Sequence, residues 1–216
     1  MSTGLRERHK QRTRQAISDV ATGMFAARGF DDVTISQVAD AAGVAKMTVT
    51  NYFPRKEDLV FDRAEAIIRS LADVITARAP GESLLAAIRR DYAERVARAD
   101  VTLGLSSPAF VRMVSSSPVL TSRGLDLQAQ RERALGDAIA AETGVDEPQQ
   151  RLVAGVLSSV HRVLYAEASG RSLAGQPRDE ICAALAGAAT RAFDLLEPSL
   201  GDYLVRPRAG GSASAR

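Results

Sequence analysis

Residues 34–56 read TISQVADAAGVAKMTVTNYFPRK, two helix-length segments with only Ala42-Gly43-Val44 between them. Thr34 followed by Gln37 has the spacing of a capping box, so a helix is expected to open there. Ile35, Val38, Ala39 and Ala42 recur at helical spacing and give it one apolar face. Gly43 then permits a tight turn that a side chain would resist. A second short helix is expected over 45–52, stopped by Pro54, which disfavours helical backbone in the residue before it. At about 100° per residue, Lys46, Met47, Thr50 and Asn51 fall within an arc of roughly 140°. Val49, Tyr52 and Phe53 point the other way. A helix that docks by one side and displays long and polar groups on the other is the second half of a helix-turn-helix, the half that enters the DNA major groove.

The rest of the chain reads as helix throughout. Ile17, Val20, Ala21, Met24 and Phe25 mark one buried face of a first helix over about 10–28, with Gly29 as its stop. A long helix is expected over 56–78, closed by Pro80-Gly81. Further helices are expected over 82–99, 108–115, 118–143, 147–169 and 178–196, separated by Ser-, Gly- and Pro-containing breaks. No segment sustains a period of two. The expected fold class is all-α: a three-helix helix-turn-helix domain over 1–56 and a larger helical domain over 57–200. The Gly/Ser/Ala-rich tail over 201–216 is expected to be disordered.

Charge follows the same division. Residues 1–56 hold nine Lys/Arg against five Asp/Glu, a balance of +4, while the remainder balances at −2. Arg6, Arg8, Lys10, Arg12 and Arg14 form a basic arm, which suits an anionic polymer and equally describes a solvated, frayed terminus. The single cysteine, Cys182, excludes an intrachain disulfide and a cysteine metal cluster. No secretory h-region and no apolar run of the ~18 residues that a membrane span needs is present. A cytoplasmic protein with no membrane partner is therefore expected. No serine elbow, Gly-rich phosphate loop or metal-ligand spacing occurs, and His9 and His161 cannot form a cluster. The chain is not expected to be an enzyme or to carry a cofactor.

From Ile17 to Leu59 the chain resembles the N-terminal domain of the tetracycline-repressor (TetR) family of transcriptional regulators. The resemblance rests on Ala21, Phe25, Gly29, Phe30, Thr34, Ile35, Ala39, Ala42, Gly43 and Val44, and on Thr48, Tyr52, Phe53, Lys56, Glu57 and Leu59 in TVTNYFPRKEDL. It implies base contacts from Lys46, Met47 and Thr50 or Asn51, and phosphate contacts from Thr34, Ser36, Thr48, Tyr52 and Lys56. Thr50 departs from the Tyr or Phe that family members often carry there. Arg12 and the basic arm suit the duplex beyond the motif.

The resemblance also implies a C-terminal domain that binds a small molecule and dimerises. Val153, Val156, Leu157, Val160 and Leu164, with Ile181, Leu185, Ala188, Ala192 and Leu196, mark two amphipathic helices. These could pair with a second copy as a four-helix bundle or simply cover the chain's own core. A two-fold dimer would set its recognition helices about 34–36 Å apart, one turn of DNA. Tyr92, Val96, Leu103, Phe110 and Met113 are candidate pocket-lining residues. Arg131 and His161, each on an otherwise apolar helix face, are candidates to orient a polar ligand group; a paired edge charge and a hydrogen-bonded core histidine are the plainer readings. The scarcity of aromatic residues favours an aliphatic or acyl-like effector. The expected function is a ligand-responsive regulator, a repressor that binds a palindromic DNA operator as a homodimer and is released by a small-molecule effector. The alternative is a DNA-binding adaptor without a small ligand, acting through protein partners.

Overall fold

The computed structural model describes residues 3–144 and 147–207, and among these every regular element is helical. The ten α-helices are α1 (Thr3–Arg28), α2 (Ile35–Ala42), α3 (Lys46–Tyr52), α4 (Ala64–Arg69), α5 (Ala72–Ala77), α6 (Leu84–Ala97), α7 (Pro108–Ser116), α8 (Pro118–Thr143), α9 (Pro148–Leu173) and α10 (Arg178–Leu200). Single 3₁₀ turns lie at Lys56–Leu59 and Val101–Leu103. Two compact units result. The first joins Met1–Ala64 with Arg112–Leu125, and the second joins Glu65–Val111 with Asp126–Arg216. A single cut at residue 56 therefore does not describe the division, because part of α7 and the first turns of α8 pack with the N-terminal helices.

In the first unit, α2 packs between α1 and α3. Ile17, Ala21 and Phe25 of α1 meet Phe30, Val33, Val38, Ala39, Val49 and Phe53 in a buried core. The Phe25 and Phe30 rings lie 5.2 Å apart in a tilted arrangement. Burying such side chains contributes about 1.5–3 kcal/mol each, which is what fixes so short a helix as α3 in place.

In the second unit, α10 lies against both α6 and α9. Ile88 and Tyr92 of α6, Leu135 and Ile139 of α8, Leu157 and Leu164 of α9, and Leu185 and Phe193 of α10 belong to one core. Arg89 clasps α6 to α10 through Asp194 at 2.6 Å and Glu197 at 3.3 Å. The Val101–Leu103 turn sits directly on α9: a Cβ at Gly104 would lie 2.7 Å from the Tyr165 carbonyl oxygen. Gly104 also has φ +89°, so both the backbone conformation and the space call for glycine.

Three expectations are corrected. The first helix starts at Thr3, so the basic arm is a helical extension of α1. The long helix expected over 56–78 is three pieces: the 3₁₀ turn, α4 and α5. Its second break falls where both the backbone N–H and the hydroxyl of Ser70 turn back to the Ile67 carbonyl, at 3.4 and 2.8 Å, in place of an i→i−4 bond. The tail is anchored as far as Arg206. Gly81 donates to the Arg206 carbonyl, Arg206 donates back to Glu82, and Leu84 donates to Tyr203. Arg78 reaches the Leu204 carbonyl and Arg206 the Thr76 carbonyl. Residues 208–216, the rest of that tail, lie outside the described residues.

Candidate functional site

The helix-turn-helix is assembled by caps at both ends of α2. Thr34 accepts from the Gln37 backbone N–H at 3.2 Å, and the Gln37 side chain accepts from the Thr34 backbone N–H at 2.9 Å. Gly43 takes φ +67° and ends α2, with its own N–H and that of Val44 returned to Asp40 and Ala39. The chain then re-enters helix at Lys46.

Val49 and Phe53 plug α3 into the core, and both are fully buried. Lys46, Met47 and Asn51 are exposed, Met47 to 69%. Thr48, Thr50 and Tyr52 are half-buried at the edges of that face. Thr50 bonds within its own helix, its hydroxyl donating to the Met47 carbonyl at 3.1 Å. Thr34 and Ser36 are exposed at the start of α2, although the Thr34 oxygen already serves as cap. Arg12 is exposed on α1. Lys56 is engaged: its ammonium lies 4.2 Å from the Phe30 ring centroid and 3.3 Å from the Asp31 carbonyl oxygen. It ties the loop before α2 to the segment after α3.

Arg14, the last residue of the basic arm, turns inward. Its guanidinium stacks 4.4 Å from the Phe53 ring centroid and donates to the carbonyls of Tyr52 at 2.9 Å and Asp62 at 2.8 Å. The Tyr52 carbonyl belongs to the last turn of α3, where carbonyls lack helical partners. Arg14 therefore caps α3 from α1. Its place four residues before Ser18, which donates to Asp62 at 2.9 Å, is the one sequence hint that it faces inward.

The expected pocket and interface residues distribute differently from the sequence reading. Tyr92, Val96 and Leu103 are core residues of the second unit, and Phe110 is half-buried on α7. Met113 belongs to the first unit and the other six candidates to the second. Arg131 and His161 are buried in the second unit, and the His161 ring lies against Tyr92. A shallow cleft of about 220 Å³ lies elsewhere in that unit, lined by Leu105–Pro108, Ser172, Gln176, Arg178 and Ile181. Of the expected interface residues, Val153, Leu157, Leu164, Ile181 and Leu185 are buried in the unit's own core. Val156, Val160, Ala188, Ala192 and Leu196 are half-buried. The large apolar residues exposed on these two helices are Leu152, Val163, Leu173 and Leu195, at 67%, 59%, 41% and 80%. Sequence periodicity marks the apolar stripe of each helix, and much of that stripe is buried in the unit's own core.

The match to known proteins follows this architecture. A family model described as bacterial regulatory proteins, tetR family, matches residues 17–62. The transcriptional regulator TcmR of Streptomyces glaucescens is 30% identical over 205 residues, 91% of this chain and 88% of its own length. The chain belongs to the TetR family. Among solved structures, SmeT in its triclosan complex shares the fold with a TM-score of 0.55 at 15% identity, covering 94% of this chain and 99% of SmeT. A TetR-family regulator from Mesorhizobium loti gives 0.52 at 17% identity, covering 86% and 96%. This TetR-family chain is thus a DNA-binding transcriptional regulator whose reading head is the α2–α3 pair. No helix among its described residues is long and apolar enough to cross a membrane.

Proposed function

We propose that this regulator is a cytoplasmic homodimer that represses transcription by occupying a palindromic operator, and that a small-molecule effector releases it. One observation carries the DNA reading: α3 is fixed by Val49, Phe53 and Arg14 while Lys46, Met47 and Asn51 stay exposed. Lys46 donates to guanine O6 and N7, Asn51 pairs with adenine, and Met47 and the Thr50 methyl pack on thymine methyl groups. Ser36 and the start of α2, with Thr34, Thr48 and Tyr52, grip phosphate, and Arg12 extends the grip along α1. Lys56 adds charge to that surface while holding Asp31 in place.

Dimerisation through the outer faces of α9 and α10 is favoured by Leu152, Val163 and Leu195, which are large, apolar and uncovered. That face also carries Gly155, Ser159, Ala184 and Gly187, whose small side chains let a second pair of helices approach closely. The effector reading draws support from buried polar groups without partners in the second unit, and from the triclosan complex of a protein with this fold. Selection of bound duplexes from a random pool, followed by gel shift and light scattering of the complex, tests the proposal. Recovery of a two-fold symmetric site bound by two copies is expected; recovery of no preferred sequence overturns it.

A further inference from the structure

Arg131 is a buried cation without a counter-ion. It is 7% exposed on the inner face of α8, with Leu127 and Leu135 one turn away on either side. It makes no hydrogen bond or ion pair with any described residue, and its Nε is buried without an acceptor. The other buried arginines of the second unit differ. Arg78 pairs with Glu142, and Arg95 pairs with Asp100 at 3.2 Å and Asp91 at 3.6 Å. Glu132 attracts Arg131, but its carboxylate lies on the exposed side, 3.5 Å from where a Cβ of Gly155 would be.

Other unpartnered groups lie at the same level. Gly136 of α8 faces Ala154 of α9 at 3.7 Å, and Glu132 faces Gly155. One turn further along this antiparallel crossing, Arg131 comes level with Ser158 and His161. The Ser158 hydroxyl, His161 Nε2 and Tyr92 hydroxyl are all buried without a partner. The Tyr92 and His161 rings meet edge-on at 5.2 Å. Burial, then the charges of Arg131 and Arg95, hold His161 well below its ordinary range, so it is neutral and keeps one N–H donor and one acceptor. Burial pushes Tyr92 up to about 12, so its hydroxyl keeps its proton to donate. A guanidinium and three donors gathered in an apolar interior lack only an acceptor that carries charge.

We propose that Arg131, Ser158, His161 and Tyr92 form a buried anion site, and that the effector is a monocarboxylate with an apolar body. One unpaired guanidinium balances one negative charge, and the buried Leu127 and Leu135 on α8 and Leu157 and Leu164 on α9 supply apolar neighbours along the two helices. The inference rests on the effector-release reading above and names the chemistry of that effector.

The test uses full-length protein with butyrate, hexanoate, octanoate and benzoate, each beside its neutral amide, followed by thermal unfolding and by gel shift. At least one carboxylate raises the wild-type Tm saturably and weakens operator binding about tenfold or more, while its amide does neither. Arg131→Met abolishes both responses and melts at or above wild type, because an uncompensated buried charge is gone. Arg131→Lys keeps part of the thermal response. Equal behaviour of acids and amides overturns the proposal, as does an undiminished response of Arg131→Met or a lower Tm for it. Wild-type gel shift without any carboxylate reads the DNA-binding proposal separately, so its failure is distinguishable from failure of the anion site.

Discussion

The guanidinium of Arg14, on α1, donates to the backbone carbonyl of Tyr52, the last residue of α3, at 2.9 Å. A seven-residue helix cannot hold itself together in water, so its orientation depends on such ties. Arg14→Ala removes two charge-assisted hydrogen bonds and a ring contact. It is expected to cost about 2 kcal/mol of stability in urea unfolding. Affinity for every DNA sequence should fall together, since Arg14 positions the reading helix and touches no base.

Lys46→Ala and Lys56→Ala should separate reading from holding. Lys46 is exposed and without a hydrogen-bond partner among the described residues. Its loss is expected to relax preference at one position per half-site, by about 1–3 kcal/mol, with the unfolding midpoint unchanged. Lys56→Ala also breaks the contacts with Phe30 and Asp31, so its midpoint falls while all duplexes lose affinity alike. Binding to operator variants, paired with thermal melts, distinguishes the two.

Two glycines with left-handed backbone should respond differently to the same change. Gly43 has φ +67° and open space around its missing Cβ. Gly43→Ala therefore costs only backbone strain, about 1 kcal/mol. Gly104→Ala adds a collision with the Tyr165 carbonyl, and a cost of about 2–4 kcal/mol is expected. Urea midpoints of the two variants check the order.

Leu195→Glu should convert the dimer to a folded monomer, halving the mass in light scattering at unchanged helicity. Leu185, one helix face away, is fully buried. Leu185→Ala should instead cost about 2–5 kcal/mol of stability and leave association intact. A mass unaltered by Leu195→Glu would count against the outer α9–α10 face as the interface.

His161 sets a pH dependence with a definite sign. Burial and the guanidinium groups of Arg131 and Arg95 depress its folded pKa, while the unfolded chain titrates near ~6.5. Below that value the unfolded state takes up a proton that the folded state refuses. Stability should be flat above pH ~7 and fall on acidification, by up to about 1.4 kcal/mol per pH unit. Comparing wild type with His161→Gln from pH 7.5 to 5 isolates the effect from Asp91, whose carboxyl is raised by burial. A wild-type profile parallel to the variant's would contradict the assignment.

The helices around Gly43 were legible because their signals are local. The Thr34 and Gln37 cap, the Gly43 turn and the stop at Pro54 each act within four residues, and the structure realises them. The intramolecular partners of Lys56 and Arg14 were not legible, because a ring or a carbonyl 25 to 48 residues away leaves no mark in a cation's own neighbourhood. The 56–78 helix failed for a related reason. Ser70 turns back on the Ile67 carbonyl and ends α4.

By itself, the order of residues determined the all-helical fold, the α2–α3 reading head and the face that α3 shows, since hydrophobic period and capping chemistry are short-range. Only the tertiary structure decided which side of α9 and α10 meets the core. It also decided that Arg131 is buried without a carboxylate, whereas Arg78 and Arg95 each find one. Periodicity fixes which side chains share a face of one helix. What that face meets depends on packing among segments far apart in the chain, where burial and the loss of water set the energy of each charge.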